Sequence, residues 1–233
     1  MTALLHLADE GEAADLAAFL ARLIHYDRAA AVRLQASGTT LAVFGRPPSF
    51  EVLAIRTARL AKPYENGLDV LLDATVSAGE LLESVDESAA TASVPGAVTG
   101  PPWAGVLPPR RGWQQEPGLP APDAVRAMVA AAVAEFRLRT QELAVERRTR
   151  AELDRIGREI WSRPVGDTDL PVRAAHAAQS LGFLRPGSPG REVAPGESPL
   201  GLYSSGAWLR LRTPYGSIAV RRAGLGALDV SVR

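Results

Sequence analysis

The sequence predicts an α+β fold, an antiparallel β-meander with flanking helices, then a helical segment followed by a C-terminal β-hairpin. Three observations carry that prediction. Apolar residues recur at three and four over 12–24 and again from 122 onward, the spacing of a helix with one buried stripe. Runs rich in β-branched and apolar residues flank Gly38 and Gly216, where glycine supplies turn geometry. A run of prolines over 89–122 separates the strand-rich start from the helix-rich continuation.

Element by element, Leu16, Phe19, Leu20 and Leu23 mark the first helix. Residues 31–46 read as a hairpin around Ser37-Gly38, and 50–60 as a third strand after the rigid Pro47-Pro48 connection. Past the Glu65-Asn66-Gly67 turn, 68–75 suits a fourth strand. Ser77 and Glu80 then have the capping-box spacing that starts a short acidic helix over 78–87. Residues 89–122 hold Pro95, Pro101, Pro102, Pro108, Pro109, Pro117, Pro120 and Pro122, each of which fixes φ and deletes a donor. Trp103, Val106, Leu107 and Trp113 sit among them and are costly to leave in water, so this segment is expected to pack as a strap across the body.

Pro122-Asp123 opens a helix whose face carries Val125, Met128, Val129, Ala132, Val133 and Phe136, with Leu143 extending it. The stripe fails at Arg147-Arg148-Thr149-Arg150. Thr149 and Glu152 form another capping box before Leu153, Ile156 and Ile160, so one bent helix or two helices both fit. Asp169-Leu-Pro171 starts a shorter helix through His176 and Leu181, closed by Gly182 as its C′ residue. A second Pro/Gly/Ser loop covers 185–200, two strands surround Pro214-Tyr215-Gly216, and 228–232 suits a last strand. The organisation expected is an α+β antiparallel-sheet domain over 1–90, a Pro/Gly-rich strap with two tryptophans over 91–121, and a helical plus β-hairpin domain over 122–233. The hairpins at 32–46 and 209–222 look alike, which shared hairpin chemistry explains as well as duplication does.

Leu107-Pro-Pro-Arg110, Leu181-Gly-Phe-Leu184 and Pro214-Tyr-Gly-Ser217, in this order after a strand-rich start, resemble a family of uncharacterised actinobacterial proteins over most of the chain. The family has no assigned activity, so the resemblance implies a cytosolic origin and carries over no site residue.

Composition narrows the function classes. The 233 residues contain no cysteine, which removes disulfides, thiolate nucleophiles and thiolate metal ligation. The start of the chain lacks a basic n-region and meets Asp9, Glu10 and Glu12 early, and the longest apolar window, 127–134, is far short of the ~20 residues of a membrane span, so a cytoplasmic protein is expected. Of 26 basic residues only Lys62 is a lysine, a bias that high-GC codon usage produces. Residues 1–122 carry 9 basic and 14 acidic side chains, and 123–233 carry 17 and 12, an asymmetry of −5 against +5 that suits two mutually attracting halves or an anionic partner.

No phosphate loop, dinucleotide fingerprint or nucleophile elbow occurs; Gly224-x-Gly226 reads as a turn, and Ser204-Ser205 have no histidine nearby. His6, His25 and His176 lack metal-ligand spacing, and Asp167-x-Asp169 is half explained by a helix cap, so no metal, cofactor or catalytic residue is assigned. The strongest functional pattern is on the last hairpin, where Trp208, Arg210 and Arg212 share a face by the two-residue period and Arg221 and Arg222 return at its far end. With Trp103 and Trp113 they are the candidate binding residues of a non-enzymatic binding or regulatory module with a protein partner. Two alternatives stand beside that reading. Nucleic-acid binding follows if the short helix and basic hairpin act as a winged helix-turn-helix. An enzyme of unknown class would use a carboxylate such as Asp69 or Asp73 with an arginine clamp.

Overall fold

The computed structural model describes residues 3–64, 71–185 and 199–222. After a short strand β1 (Leu4–His6), helix α1 (Glu10–Tyr26) starts ahead of its apolar stripe. Asp9 is the reason, since its carboxylate accepts the Glu12 N–H at 2.8 Å while Glu10 and Glu12 add negative charge to the first turn. Leu16, Phe19, Leu20 and Leu23 form its buried face. β2 (Ala31–Ser37) and β3 (Thr40–Gly45) make the expected hairpin, with Gly38 at φ 56°, and β4 (Leu53–Arg59) continues the meander after a short 3-10 turn at Pro48–Phe50.

The fourth strand lies further along than its pattern predicts. β5 (Leu72–Ser77) does not extend the meander beyond β4 but crosses back to pair with β2, Leu34 opposite Ala74; residues 68–70 of the expected strand lie outside the described residues. Ser77 Oγ accepts the Glu80 N–H and caps α2 (Ala78–Glu83), as the capping box predicts. α2 is shorter than expected because the chain leaves it as β6 (Val85–Asp86), which pairs with β7 (Thr91–Ser93), itself paired with β1. That three-stranded sheet had no periodic signal in sequence.

β8 (Gln114–Glu116) lies inside the proline-rich segment. α3 (Pro122–Gln141) and α4 (Arg150–Trp161) are two helices, the second capped by Thr149 at the Glu152 N–H. α5 (Val172–Ser180) ends as expected, with Gly182 at φ 76°. β9 (Gly201–Ser205), β10 (Trp208–Thr213) and β11 (Gly216–Arg221) complete the sheet. The expected strand at 228–232 lies outside the described residues.

Eight strands form one antiparallel sheet in the order β5-β2-β3-β4-β11-β10-β9-β8. The α+β class and the antiparallel pairing are as predicted, and the C-terminal hairpin is the end of a second three-strand meander. Outward from the β4/β11 seam the two halves have the same plan, a meander and then an edge strand. The equivalent tight turns are Ser37-Gly38 and Ser205-Gly206, with φ 56° and 54° at the glycines, so the hairpin that corresponds to β2-β3 is β9-β10 and not 209–222. Among the described residues, three strand pairs join the two halves of the sheet, Ile55 with Ser217, Ala54 with Ile218 and Leu53 with Ala219.

One face of the sheet carries the main core. Ala54 and Ala58 of β4, Leu209 and Leu211 of β10 and Ile218 and Val220 of β11 pack with α1, α5 and, behind them, α3 and α4. Arg56 belongs to this face too, 1% exposed. It donates to Glu12 Oε2 at 2.7 Å, to Asp15 Oδ2 at 3.3 Å and to the Tyr215 carbonyl at 3.0 Å, and Arg59 holds the other Glu12 oxygen at 3.0 Å. Arg185 reaches Asp15 and stacks 3.7 Å over the Tyr215 ring. Basic side chains of residues 123–233 thus meet acids of residues 1–122, here and at Arg222–Glu116 and Arg173–Glu51. Part of the −5/+5 asymmetry is met within the molecule, at Arg185–Asp15 and Arg222–Glu116.

Two further expectations meet the structure here. The helix that a winged helix-turn-helix would insert into a groove is α5, whose Val172, Ala174, Ala175, Ala177 and Ala178 are buried, leaving Gln179 as its one fully exposed side chain. That geometry weighs against groove insertion. Among the described residues, no helix is long and apolar enough to cross a membrane.

Candidate functional site

The face opposite the helices is built by the same two-residue alternation. Phe44, Leu53, Ile55 and Ala219 form a small apolar patch at its centre, and the proline-rich segment lies on it through Trp103 and Leu107. The segment leaves the β5 edge, where the Val98 N–H donates to the Thr75 carbonyl, and reaches the β9 side, where Ser205 Oγ donates to the Arg111 carbonyl. It is a strap across the sheet, with Ala104 and Pro108 buried.

Six of the seven sequence-predicted binding residues meet on this face. Trp208, Arg210 and Arg212 point the same way from β10, and register places Arg221 directly opposite Trp208, its guanidinium 5.1 Å from the indole centre. Arg210 donates to Ser217 Oγ at 2.9 Å and lies 5.7 Å from the Trp113 ring, whose Nε1 donates to the Pro109 carbonyl. Burial pushes the Arg210 guanidinium below its ordinary range, and the charge of Arg212 adds to the push. Arg212 and Arg221 are exposed. Trp103 lies on the strap, next to the same patch. The seventh residue, Arg222, is apart, bound to Glu116 at 2.8 Å beside Asp167, Thr168 and Asp169. Glu116 is the sole acid in β8–β11 and, opposite Leu202, it faces the core side.

Beside Trp208 opens a cavity of about 290 Å³, its floor Val52, Leu53, Ala219 and Val220 and its sides Trp103 and Trp208. Arg46, Arg173 and Arg221 line it together with Glu51. No sequence pattern marks Arg46 or Glu51. Arg46 follows β3 in an unpatterned loop, and Arg173 is conspicuous only as the sole basic residue of α5. On α3 and just past α4, Arg139 is held by Glu159 at 2.7 and 2.9 Å and Arg163 by Glu135 at 2.5 and 2.8 Å. These bonds hold the Glu135 carboxyl below the usual range.

The carboxylate proposed for acid–base work is a held anion. Asp73 faces the strap side, where partial burial pushes its carboxyl up, but hydrogen bonds from Arg33 at 2.8 Å and Gln35 at 3.2 Å outweigh that and hold it below the ordinary value. A cavity of about 390 Å³ adjoins it, lined also by Arg33 and Thr75. Asp69 lies outside the described residues. His176 is stacked 4.7 Å from Trp161 and edge-on to Phe50 at 5.1 Å. Burial lowers its pKa, as for an imidazole kept neutral among rings. Among the described residues no three His, Asp or Glu side chains converge as metal ligands would.

Two family models together cover most of the chain. One, described as a domain of unknown function (DUF8010), matches residues 1–105, and a second, described as a domain of unknown function (DUF8185), matches residues 108–225. No curated protein and no solved structure matches the chain.

Proposed function

From a chain that belongs to the DUF8185 family, we propose a non-enzymatic binding module that holds an acidic protein partner on the strap-covered face of its sheet. The observation that carries this reading is the composition of one surface. Arg210, Arg212 and Arg221 stand there with Trp208 and Trp113, and the one acid of the local strands faces the other way. Indoles supply large rigid contact area and arginines supply charge-assisted hydrogen bonds, the pairing that dominates binding hot spots. A cytoplasmic setting fits, because a chain without cysteine needs no oxidising compartment.

The same surface favours a second reading, single-stranded nucleic acid. Ring faces interleaved with arginines on a sheet are the platform on which bases stack, and Tyr203, opposite Arg210, extends it. One experiment separates the two: affinity capture from the native cells with and without nuclease, using the wild-type chain and the Arg210→Glu/Arg212→Glu/Arg221→Glu variant. A stoichiometric protein that survives nuclease and is lost by the variant supports the module. Nucleic acid in the eluate, with affinity falling steeply as salt rises, moves the second reading to first place. A partner retained undiminished by the folded variant refutes the site.

A further inference from the structure

The cavity next to that surface has a chemistry of its own, and it stands whether or not the face outside it holds a macromolecule. Its floor is aliphatic and fully buried, with Val52 at 3%, Leu53 at 4% and Ala219 at 0% exposure. Its sides are the Trp103 and Trp208 indoles, and its rim bears three guanidiniums against one carboxylate. Glu51 does little to neutralise them. It is mostly exposed, and its oxygen lies 4.0 Å from Arg173 Nε, beyond hydrogen-bond reach.

Arg173 is the informative residue. Its Nε is buried and has no hydrogen-bond partner among the described residues, a state that buried donors in folded proteins rarely keep. It also occupies the first turn of α5, where the helix dipole is positive and no acidic residue compensates it. A cation there is set against the dipole unless an anion sits between them. A larger cavity of about 460 Å³ lies on the other side of Trp103 and Arg46, but Arg46 is its one basic residue and Asp27 opposes it, so the charge is concentrated at the smaller cavity.

We propose that the Trp103/Trp208 cavity binds a small ring-bearing anion, an aromatic or heteroaromatic carboxylate or phosphate, with its ring against the aliphatic floor and its anion on Arg46, Arg173 and Arg221. About 290 Å³ has room for one ring system and its charged group. That is close to the lower bound of roughly 300 Å³ for small-molecule sites.

Isothermal titration of the full chain with benzoate, adenosine 5′-monophosphate and inorganic phosphate tests this. At least one ring-bearing anion saturates a single site, and inorganic phosphate binds about tenfold or more weakly, because it lacks the apolar body. Arg173→Gln weakens the ring anion by about tenfold or more, through loss of charge-assisted hydrogen bonds. Arg46→Gln, in a loop outside the core, weakens it in the same direction and serves if Arg173→Gln perturbs folding. Arg155→Gln, on the remote face of α4, leaves binding unchanged. Benzoate binding without the nucleotide identifies the carboxylate class, and the reverse identifies the phosphate class. The proposal is overturned if neither ring anion saturates at millimolar concentration, if inorganic phosphate binds as well as either, or if both arginine variants bind as the wild type does.

Discussion

Arg56→Met tests the fold's most exposed-to-failure interaction, the buried arginine that ties α1 and β4 to the β10–β11 turn. Arg56 is 1% and Glu12 2% exposed, so the ion pair between them is shielded from solvent. Methionine keeps most of the apolar stem and removes the donations to Glu12, Asp15 and the Tyr215 carbonyl. Breaking a buried pair on one side costs about 3–5 kcal/mol, because the remaining charge keeps its desolvation penalty. Arg59 still holds Glu12 at 3.0 Å, which places the cost near the lower end, about 3 kcal/mol. Against a total stability of about 5–15 kcal/mol that is a large loss. Urea titration followed by circular dichroism and tryptophan fluorescence reads it directly; with m of about 3 kcal/mol/M the midpoint falls by about 1 M. The Glu12→Gln/Arg56→Met double variant costs at least about 1 kcal/mol less than the sum of the single variants, since the two side chains are directly coupled. An Arg56→Met loss below about 1 kcal/mol, the scale of a solvent-exposed pair, would refute the reasoning.

Three further predictions rest on separate features. Burial holds the folded-state pKa of His176 below its ordinary 6.5, so the unfolded chain takes up the proton first as pH falls; the stability linked to His176 is complete above 6.5 and is lost as pH drops through the folded value, and His176→Phe flattens that acid limb in urea titrations at stepped pH. Gly206→Ala meets open space and pays only for a left-handed backbone, about 1 kcal/mol, whereas an alanine at Gly118 would put its Cβ 2.1 Å from the Asp167 carbonyl oxygen at φ 86°, for a loss of about 3 kcal/mol in thermal or urea unfolding. Trp103→Ala removes about 2 kcal/mol of half-buried contact from the strap, so proteolysis between 98 and 113 accelerates more than the shift in the global urea midpoint accounts for; equal changes in both would show that the strap opens only when the whole chain unfolds.

What was legible in sequence is what local chemistry specifies. The stripe of α1, the Ser77 and Thr149 caps, the Gly182 helix stop and the Gly38 turn all act within a few residues, and each is found where its pattern places it. β1, β6, β7, β8 and β9 are two to five residues long, too short for a period, and β1 and β8 gain their partners β7 and β9 from far along the chain. The return of β5 to β2 and the pairing of β4 with β11 are likewise non-local choices. One trace was present: Leu53, Ala54 and Ile55 are apolar on both faces of β4, the mark of a strand covered twice, once by the helices and once by the strap. On the binding side, the two-residue period aligned Trp208, Arg210 and Arg212 correctly, because register within a hairpin is local. Arg46 and Glu51 come from the β3–β4 connection and Arg173 from α5, and no spacing rule links them.

The seam between β4 and β11 gives the chain the architecture of a heterodimer whose two members share one polypeptide. Three residue pairs hold the strands together there, and the two family models divide at 105 and 108, within the strap and away from every strand pairing. A backbone break at that point would leave each sheet hydrogen bond, the Arg56 cluster and the common core intact. Covalent continuity therefore contributes proximity, a high effective concentration of each half for the other, and the specificity of their union is written in the side chains that meet at the seam.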